Sequence, residues 1–437
     1  MNSITEPSRI PCHIIGVLDN GIEGLTPQAL DFIRQAQVII GGTRTLSLFS
    51  EVFTNTAAQH DLTGALTQVP DWVSDAQKQG LRSVVLATGD PLCHGIGKYL
   101  LGKMGTGHCE VIPNISTLQL ACARLGIAWQ EARICSVHSK DAGDWTQDAG
   151  PEHGLYPLLR ACNENELLIV FTSPENNPSR IARMLSLAGM ANKFSMSIVE
   201  SLLNDRESIH RDLAIEDVAA ASFTNPNIVI LQRKEPIKHQ VLMGLADDRF
   251  AQRKPDKGLI SKREVRAVSL ARLQLCADSI VWDIGAGSGS VGLEAARLCP
   301  HGYVYAMEKN EADASIARQN QQAFGAINYQ LTHARAPEGL DQWPDPDAVF
   351  IGGSGGELAK LIELCLSRLT TDGTLVMNFV TLENLGTATE TLKQLNARWD
   401  VTQLQASRSQ PILHMTRLQA ENPVWIVSAQ NHRGKHD

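Results

Sequence analysis

Several common patterns are missing from this sequence of 437 residues. Its nine cysteines stand singly, with no C-x-x-C pair and no Cys/His run at zinc spacing, so we expect reduced thiols and no metal site. No apolar run reaches about 18 residues, and no basic segment leading into an apolar stretch opens the chain, which predicts a cytoplasmic protein. The acidic excess, 47 Asp and Glu against 39 Lys and Arg, argues against nucleic acid or an anionic membrane as the main partner.

What the sequence does contain is strand-length apolar runs that alternate with helical patterns. This alternation predicts an α/β protein with largely parallel strands, and it occurs twice, over residues 10–234 and again over residues 257–430. Between the two stretches, residues 235–256 are rich in charge and proline, which predicts a linker. Two domains also suit the length, because single cores rarely grow beyond about 250–300 residues.

The clearest local motif is IVWDIGAGSGS at residues 280–290, a buried strand that enters a glycine turn and then a helix. Glycines let the backbone approach a ligand closely, and the helix start offers free N–H groups. Glu308 ends the next strand, where a carboxylate can accept both ribose hydroxyls of a nucleoside. Ser290 occupies the place of the last glycine in a dinucleotide fingerprint, so an NAD-dependent oxidoreductase is the weaker alternative. Asp283 can face the sulfonium of S-adenosylmethionine (SAM), which favours a methyl donor.

This motif resembles the class I SAM-dependent methyltransferases, which have a doubly wound, Rossmann-like fold. The order of several further segments is similar to the cobalamin-pathway methyltransferases that methylate carbon 15 of a precorrin and decarboxylate a ring acetate: residues 260–266, 308–310, 335–338, 352–356 and 380–383. The resemblance covers about residues 242–430. It implies that SAM is contacted by residues of the turn and of neighbouring loops: Ser261, Gly285, Ala286, Gly287, Ser288, Gly289, Glu308 and Ala336.

The acceptor side of this second domain is marked by a glycine loop and by cations. Residues 350–356, FIGGSGG, replace the Asn/Asp-Pro-Pro-aromatic tetrad of amino-methylating relatives, so we expect a bulky ligand against the bare backbone of Gly352 and Gly353. A reduced tetrapyrrole carries many carboxylates, and guanidinium groups bind carboxylates through paired hydrogen bonds. The candidates for this role are Arg263, Arg266 and Arg408.

In the first half, residues 86–97, LATGDPLCHGIG, follow a strand and contain no P-loop lysine, which excludes a Walker-type phosphate site. With residues 15–26, 38–42, 111–117 and 168–174, this segment resembles the tetrapyrrole methylase family, particularly members that act at carbon 5 of a precorrin. The resemblance covers about residues 10–234 and implies a two-lobed α/β fold. It also implies SAM contacts from the residues that match the family's donor site: Thr88, Gly89, Asp90, Cys93, Ser116 and Thr117.

Two departures from the tetrapyrrole methylase pattern occur where substrate should pass. Leu18 replaces a glycine, and Cys93-His94 replaces an aromatic pair that usually ends in tyrosine. His94 is either a proton carrier or a packing residue. A tetrapyrrole-binding protein with a degenerate first domain therefore remains an alternative to an enzyme.

Taken together, the two resemblances imply a bifunctional SAM-dependent methyltransferase of corrin synthesis with two donor sites of unrelated design. Methyl transfer from a sulfonium mainly requires positioning of the acceptor carbon. The sequence accordingly identifies no catalytic side chain. We expect a small-molecule tetrapyrrole as the partner and a homo-oligomeric assembly.

Overall fold

The computed structural model describes residues 10–138, 140–237, 241–253, 260–354 and 356–431. These residues form two compact units, the first made of residues 10–147 and 153–237 and the second made of residues 148–152 and of those after residue 237. The predicted linker, residues 235–256, is described only over 235–237 and 241–253, and the start of the predicted second domain, 257–259, lies outside the described residues. The linker prediction is wrong for residues 241–253, because Leu245 and Phe250 are buried in the core of the second unit.

The first lobe of the first unit is a parallel sheet in the order β3-β2-β4-β1-β5, covered by helices. Its strands read as continuous apolar runs because both faces of a parallel sheet are buried. In chain order the elements are β1 (Cys12–Val17), α1 (Pro27–Gln35), β2 (Val38–Gly41), α2 (Thr43–Leu48), β3 (Ala58–Asp61), α3 (Val69–Lys78), β4 (Ser83–Thr88), α4 (Ile96–Met104), β5 (Cys109–Ile112) and α5 (Thr117–Leu125).

The second lobe of this unit is a mixed sheet in the order β6-β7-β10-β8-β9, in which only β6 and β7 run parallel. The expectation of largely parallel strands is therefore wrong for this lobe. The short connection from β8 to β9 is one reason, since a parallel pair needs a crossover of a dozen or more residues. The elements are β6 (Arg133–Ser136), α6 (Tyr156–Glu164), β7 (Leu167–Phe171), α7 (Pro178–Leu187), β8 (Phe194–Glu200), β9 (Ser208–Ala214), α8 (Ile215–Ala220) and β10 (Asn227–Arg233).

The second unit is a doubly wound sheet in the order β13-β12-β11-β14-β15-β19-β16, with apolar cores on both faces. This confirms the predicted α/β class. Strands β11 to β15 are parallel, and β19 runs antiparallel to both of its neighbours. The elements are α9 (Arg263–Arg272), β11 (Ile280–Ile284), α10 (Ser290–Leu298), β12 (Tyr303–Glu308), α11 (Glu311–Phe324), β13 (Tyr329–His333), β14 (Ala348–Ile351), α12 (Leu358–Arg368), β15 (Thr374–Phe379), α13 (Leu382–Gln394), β16 (Arg398–Leu404), β17 (Ser407–Ile412), β18 (Met415–Ala420) and β19 (Val424–Gln430).

The strand order of the second unit reverses at β11, whose neighbours are β12 and β14. In open α/β sheets a crevice forms beyond the carboxyl ends of the strands at such a switch point. The fold therefore directs attention to the residues that follow β11, β12 and β14. Among the described residues, no helix is long and apolar enough to cross a membrane. The nine cysteines are unpaired in the structure.

Candidate functional site

A cavity of about 320 Å³ lies at the switch point of the second unit. Its walls come from the ends of β11, β12 and β14 and from the loop after β13, as the strand order requires. The lining residues are Arg253, Ile284, Gly285, Gly287, Met307, Glu308, Lys309, Asn310, Asp313, Ala334, Arg335, Ala336, Gly352, Gly353 and Ser354. The volume falls in the usual range for a small-molecule pocket.

Two glycine loops meet backbone to backbone in this wall. Gly285 has a φ of +72°, and a Cβ there would lie 2.6 Å from the carbonyl oxygen of Gly353. A Cβ on Gly352 would lie 3.0 Å from the carbonyl oxygen of Gly285. Any side chain at residue 285 would therefore force the loops apart and reshape the cavity. The structure brings together the donor loop and the acceptor loop that the sequence identified separately.

Glu308 is positioned by backbone groups on the cavity wall. The N–H of Gly287 donates to its Oε2 at 2.9 Å, and the N–H of Asn310 donates to its Oε1 at 2.9 Å. The carboxylate is 7% exposed. Because each carboxylate oxygen accepts more than one hydrogen bond, both keep capacity for a ligand hydroxyl. This arrangement is compatible with the predicted ribose site.

Asp283 lies beneath the glycine turn instead of facing the cavity, which corrects the prediction that it faces a sulfonium. Its Oδ2 accepts the N–H of Gly292 in the first turn of α10 at 3.0 Å. Burial raises the pKa of this carboxyl from 3.8 to about 7. Its Oδ1 is buried without a hydrogen-bond partner in the described structure, as are the hydroxyls of Ser288 and Tyr329. Asp283 is thus a support for the turn and the helix start.

Apart from the three predicted arginines, six of the residues that the sequence singled out in the second domain line the cavity, and five lie outside its wall. The six are Gly285, Gly287, Glu308, Ala336, Gly352 and Gly353. Those outside the wall are Ser261, Asp283, Ala286, Ser288 and Gly289. Ala286, Ser288 and Gly289 instead shape the turn, and the carbonyl of Ser261 accepts a hydrogen bond from Arg266.

Arg253 is a cavity residue that the sequence placed in the linker. Its Nε lies 2.7 Å from Asp313 Oδ1, and its Nη2 donates to Asn310 Oδ1. Burial raises the pKa of Asp313 despite this neighbouring cation. Nearby, Ala251 exchanges two backbone hydrogen bonds with the side chain of Asn320, so residues 241–253 are tied down beside the cavity. The sequence pattern contained no periodic signal for this contact.

Arg266 is not available to a substrate, which corrects its prediction as a carboxylate ligand. The side chain is 0% exposed, and its Nε donates to Glu294 at 2.9 Å, while Nη1 lies 3.2 Å from Asp247. Arg408 is likewise held by Asp247 and Glu264, and these partners raise its pKa. Arg263 is exposed at the start of α9. Of the three predicted arginines, Arg263 is the one whose position leaves it accessible.

In the first unit, the loop after β4 meets the start of α5. The N–H of Gly89 donates to the carbonyl of Val17 at 2.8 Å, and a Cβ on Gly89 would lie 3.2 Å from the nitrogen of Thr117. Gly89 has a φ of +71°, which favours glycine. Ser116 begins α5 in a capping box with Gln119. The predicted residues Gly89, Ser116 and Thr117 therefore lie side by side at the carboxyl ends of β1 and β4.

The rest of this loop reaches the second lobe. Oδ1 of Asp90 accepts the N–H of Leu92 at 2.9 Å, and Thr88 is the last residue of β4. Cys93 packs against a core cluster that also holds Phe171 of β7, and burial raises the pKa of its thiol. His94 follows with a φ of +55°, and its ring centroid lies 5.6 Å from that of Phe171. Leu18, which replaces a glycine of the family pattern, is buried.

Comparisons with known proteins match both halves of the chain. Residues 11–214 match the family of tetrapyrrole (corrin/porphyrin) methylases, and residues 254–431 match the precorrin methyltransferase domain. A precorrin-6Y C(5,15)-methyltransferase (decarboxylating) from Sinorhizobium sp is 30% identical over 370 residues, covering 85% of this chain and 84% of the relative. A cobalt-precorrin-6B C(15)-methyltransferase (decarboxylating) from Salmonella typhimurium is 38% identical over 172 residues, or 39% of this chain and 88% of the relative.

A solved structure is also similar to the chain. The crystal structure named as precorrin-6y C5,15-methyltransferase from Geobacter metallireducens is 41% identical, with a TM-score of 0.42. It covers 44% of this chain and all of its own.

Proposed function

This chain belongs to the precorrin-6Y C(5,15)-methyltransferases (decarboxylating), and we propose that it converts precorrin-6Y to precorrin-8X in cobalamin biosynthesis. The reaction adds methyl groups at carbons 5 and 15 and removes the carboxyl group of the ring C acetate. The protein is a SAM-dependent methyltransferase, and SAM supplies the electrophilic methyl group in each transfer. The observation that carries this proposal is that one chain contains two different methylase domains, each with a glycine-containing loop at the ends of its strands.

We assign carbon 15 methylation and decarboxylation to the second unit. The relative from Salmonella typhimurium that is named for these two reactions aligns with only 39% of this chain. In the second unit, Glu308 is preset by two backbone N–H groups to accept the ribose hydroxyls of the donor. The contact between the Gly285 and Gly353 loops leaves bare backbone where a wide planar substrate can approach the methyl group. Arg263 is available to pair with a substrate carboxylate at the start of α9.

We assign carbon 5 methylation to the first unit, which matches the tetrapyrrole methylases. Its donor site would consist of Gly89, Ser116 and Thr117, with Thr88 and Asp90 beside them and Cys93 closing the loop. The N-terminus of α5 presents backbone N–H groups there, which suits the carboxylate end of an amino acid. Two donor sites per chain follow from this assignment.

We also propose a cytoplasmic homo-oligomer. Nine unpaired cysteines suit a reducing compartment. Strands β17 and β18 form a separate ribbon whose apolar side chains are exposed, including Leu413 at 91% and Leu418 at 73%. Exposed apolar patches of this kind are typical of contact surfaces, and we expect a second copy of the chain to cover this one. Sedimentation of the Leu418→Lys variant should show a smaller assembly than the wild type.

The direct test of the function is the product mass after the full chain is incubated with SAM and precorrin-6Y. Two methyl gains with loss of one carbon dioxide are expected. A product with no mass change, from a chain that binds SAM, would contradict the proposed function. Calorimetric titration should resolve two SAM sites, and a single site would favour a degenerate first unit.

Variants then assign each reaction to its unit. Glu308→Ala should remove carbon 15 methylation and carbon dioxide release while carbon 5 methylation continues, whereas Asp90→Ala should do the converse. Glu363→Ala on the exposed face of α12 and Asp71→Ala on α3 are the matched controls and should leave both reactions unchanged. Equal loss of both reactions in either site variant would contradict independent sites.

A further inference from the structure

We propose that His94 is the general base of the carbon 5 reaction and removes the proton that carbon 5 loses when it is methylated. The proposal rests on the function assigned above to the first unit. It adds a catalytic side chain to a reaction for which positioning alone provides no proton acceptor. The evidence is the contact of His94 with the second lobe, the exposure of its side chain and the charges around it.

The chemistry requires such a group. A meso carbon of a reduced tetrapyrrole carries one hydrogen, and π electrons of the ring form the new carbon–carbon bond while the carbon–sulfur bond of SAM breaks. The sulfur leaves as a neutral thioether, and the ring temporarily holds a positive charge with both hydrogen and methyl on carbon 5. When the C–H bond returns its electrons to the ring, a proton must go to a base, which here is an imidazole nitrogen of His94. General base catalysis of this kind contributes roughly 10²- to 10⁴-fold to a rate.

The loop geometry holds His94 at the donor site. Asp90 accepts the N–H of Leu92, and the N–H of Cys93 donates to the carbonyl of Asp90 at 3.1 Å, so the loop makes a tight turn directly after Gly89. A φ of +55° is uncommon for histidine, and it is maintained here by this turn. His94 follows the predicted SAM contacts Gly89 and Asp90 by five and four residues along the chain, on the same tight loop.

From that position the imidazole reaches the opposite lobe while staying accessible. Its ring lies 5.6 Å from the ring of Phe171, at a tilt of 47°, where strand β7 ends. His94 is exposed, so a bound planar substrate can touch its imidazole. A histidine that served only to pack the core would be buried.

The charges facing His94 favour its neutral form, which is the form that accepts a proton. Partial burial lowers its pKa from 6.5, and Lys98 on α4 and Arg133 on β6 lower it further. The adjacent Cys93 is a poor base because burial raises the pKa of its thiol, which stays protonated. Asp90 is assigned above to the donor site, and its Oδ1 accepts the N–H of Leu92. His94 is therefore the neighbour best suited to the proton.

The test compares His94→Gln with His60→Gln in the full chain. His60 is a fair control because it is also a histidine stacked on an aromatic ring, Trp72, but lies on the edge strand β3. We measure the rates of carbon 5 and carbon 15 methylation by product mass, across pH, and the number of SAM sites by calorimetry. The carbon 15 reaction serves as an internal standard.

For His94→Gln we expect a fall of roughly 10²- to 10⁴-fold in kcat for carbon 5 methylation, little change in KM, and two intact SAM sites. The product that has gained one methyl group and lost carbon dioxide should accumulate. In the wild type the carbon 5 rate should fall as pH drops below the lowered pKa of His94, and this acid limb should vanish in the variant. His60→Gln should behave as the wild type does.

Three outcomes would overturn the proposal. An unchanged carbon 5 rate and pH profile in His94→Gln would show that His94 is not the base. Loss of SAM from the first unit would show that His94 acts on donor binding instead. Equal loss at carbons 5 and 15 would show that its role is not confined to the first unit. Absence of carbon 5 methylation in the wild type, with carbon 15 methylation intact, would instead refute the function assigned to the first unit.

Discussion

The buried ion pair of Glu294 and Arg266 leads us to predict a large loss of stability in the second unit when Glu294 is removed. Glu294 on α10 is 0% exposed and accepts the N–H groups of Gly244 and Leu245 at 2.7 and 2.9 Å, as well as Nε of Arg266. Arg266 in turn donates to the carbonyl of Leu245. These contacts hold residues 241–253 against the unit. The change Glu294→Ala removes the shared acceptor of all three donors.

Glu294→Ala should lower the free energy of unfolding because it leaves a guanidinium and two backbone N–H groups buried without this acceptor. Breaking a buried ion pair by removing one partner costs about 3–5 kcal/mol, because the remaining charge loses its compensation. Arg266 keeps Asp247 at 3.2 Å, which favours the lower end, while two backbone N–H groups lose their acceptor at about 1 kcal/mol each, which brings the total back toward the upper end. We therefore expect a loss of about 3–5 kcal/mol. For a unit of this size that corresponds to a fall of roughly 6–20 °C in Tm.

The assay is thermal unfolding of the full chain, with saturating SAM and without it, to identify the transition of the second unit. Glu363→Ala, an exposed glutamate on α12, is the control and should shift Tm by less than about 2 °C. Because Arg253 lies at the end of the held segment, SAM affinity of the second unit should also fall in Glu294→Ala. A variant with wild-type Tm and affinity would refute the reasoning that this pair positions the segment.

Three further predictions concern the same unit. Burial raises the pKa of Asp283 to about 7, so the folded protein loses stability as pH rises from about 4 to 7. Asp283→Asn should therefore gain stability relative to wild type between about pH 5 and about pH 8, measured by urea unfolding. A difference in unfolding free energy that does not change with pH would count against this. Arg253→Ala should weaken SAM binding to the second unit by about tenfold or more in calorimetry, while the exposed Arg249→Ala should not. A fragment of residues 241–437 should fold and bind SAM. A fragment of residues 257–437 lacks the buried Leu245 and Phe250 and should therefore be markedly less stable on heating. Equal Tm values for the two fragments would contradict this.

Residues that act through their own backbone could be identified from sequence. The turn after β11 needs glycine at residue 285 because its φ is positive and another backbone passes within contact distance, and both demands leave a local signature. Glu308 was identifiable for a similar reason, since it ends a strand at the distance where a ribose-binding carboxylate is expected. In the first unit, Gly89 and the Ser116 cap follow the same logic.

Residues whose role depends on a distant partner could not be identified in this way. Arg266 reads as an exposed cation beside Ser261, but Glu294, 28 positions later, buries it. Residues 241–253 read as a linker because charge and proline dominate their composition, yet Glu294 and Asn320 capture their backbone and bring Arg253 to the cavity.

The sequence by itself determined the two α/β domains, their family and the glycine loops that follow β4 and β11. These features depend on periodicity and on backbone conformations that only certain residues adopt. The tertiary structure decided which charged side chains are buried and which line the cavity: Asp283 and Arg266 are buried, and Arg253 lines the cavity. It also brought the ring of His94, on the loop after β4, next to the ring of Phe171 in the second lobe of the first unit. The physical reason is that burial and pairing are set by residues far apart in the chain, which no local pattern records.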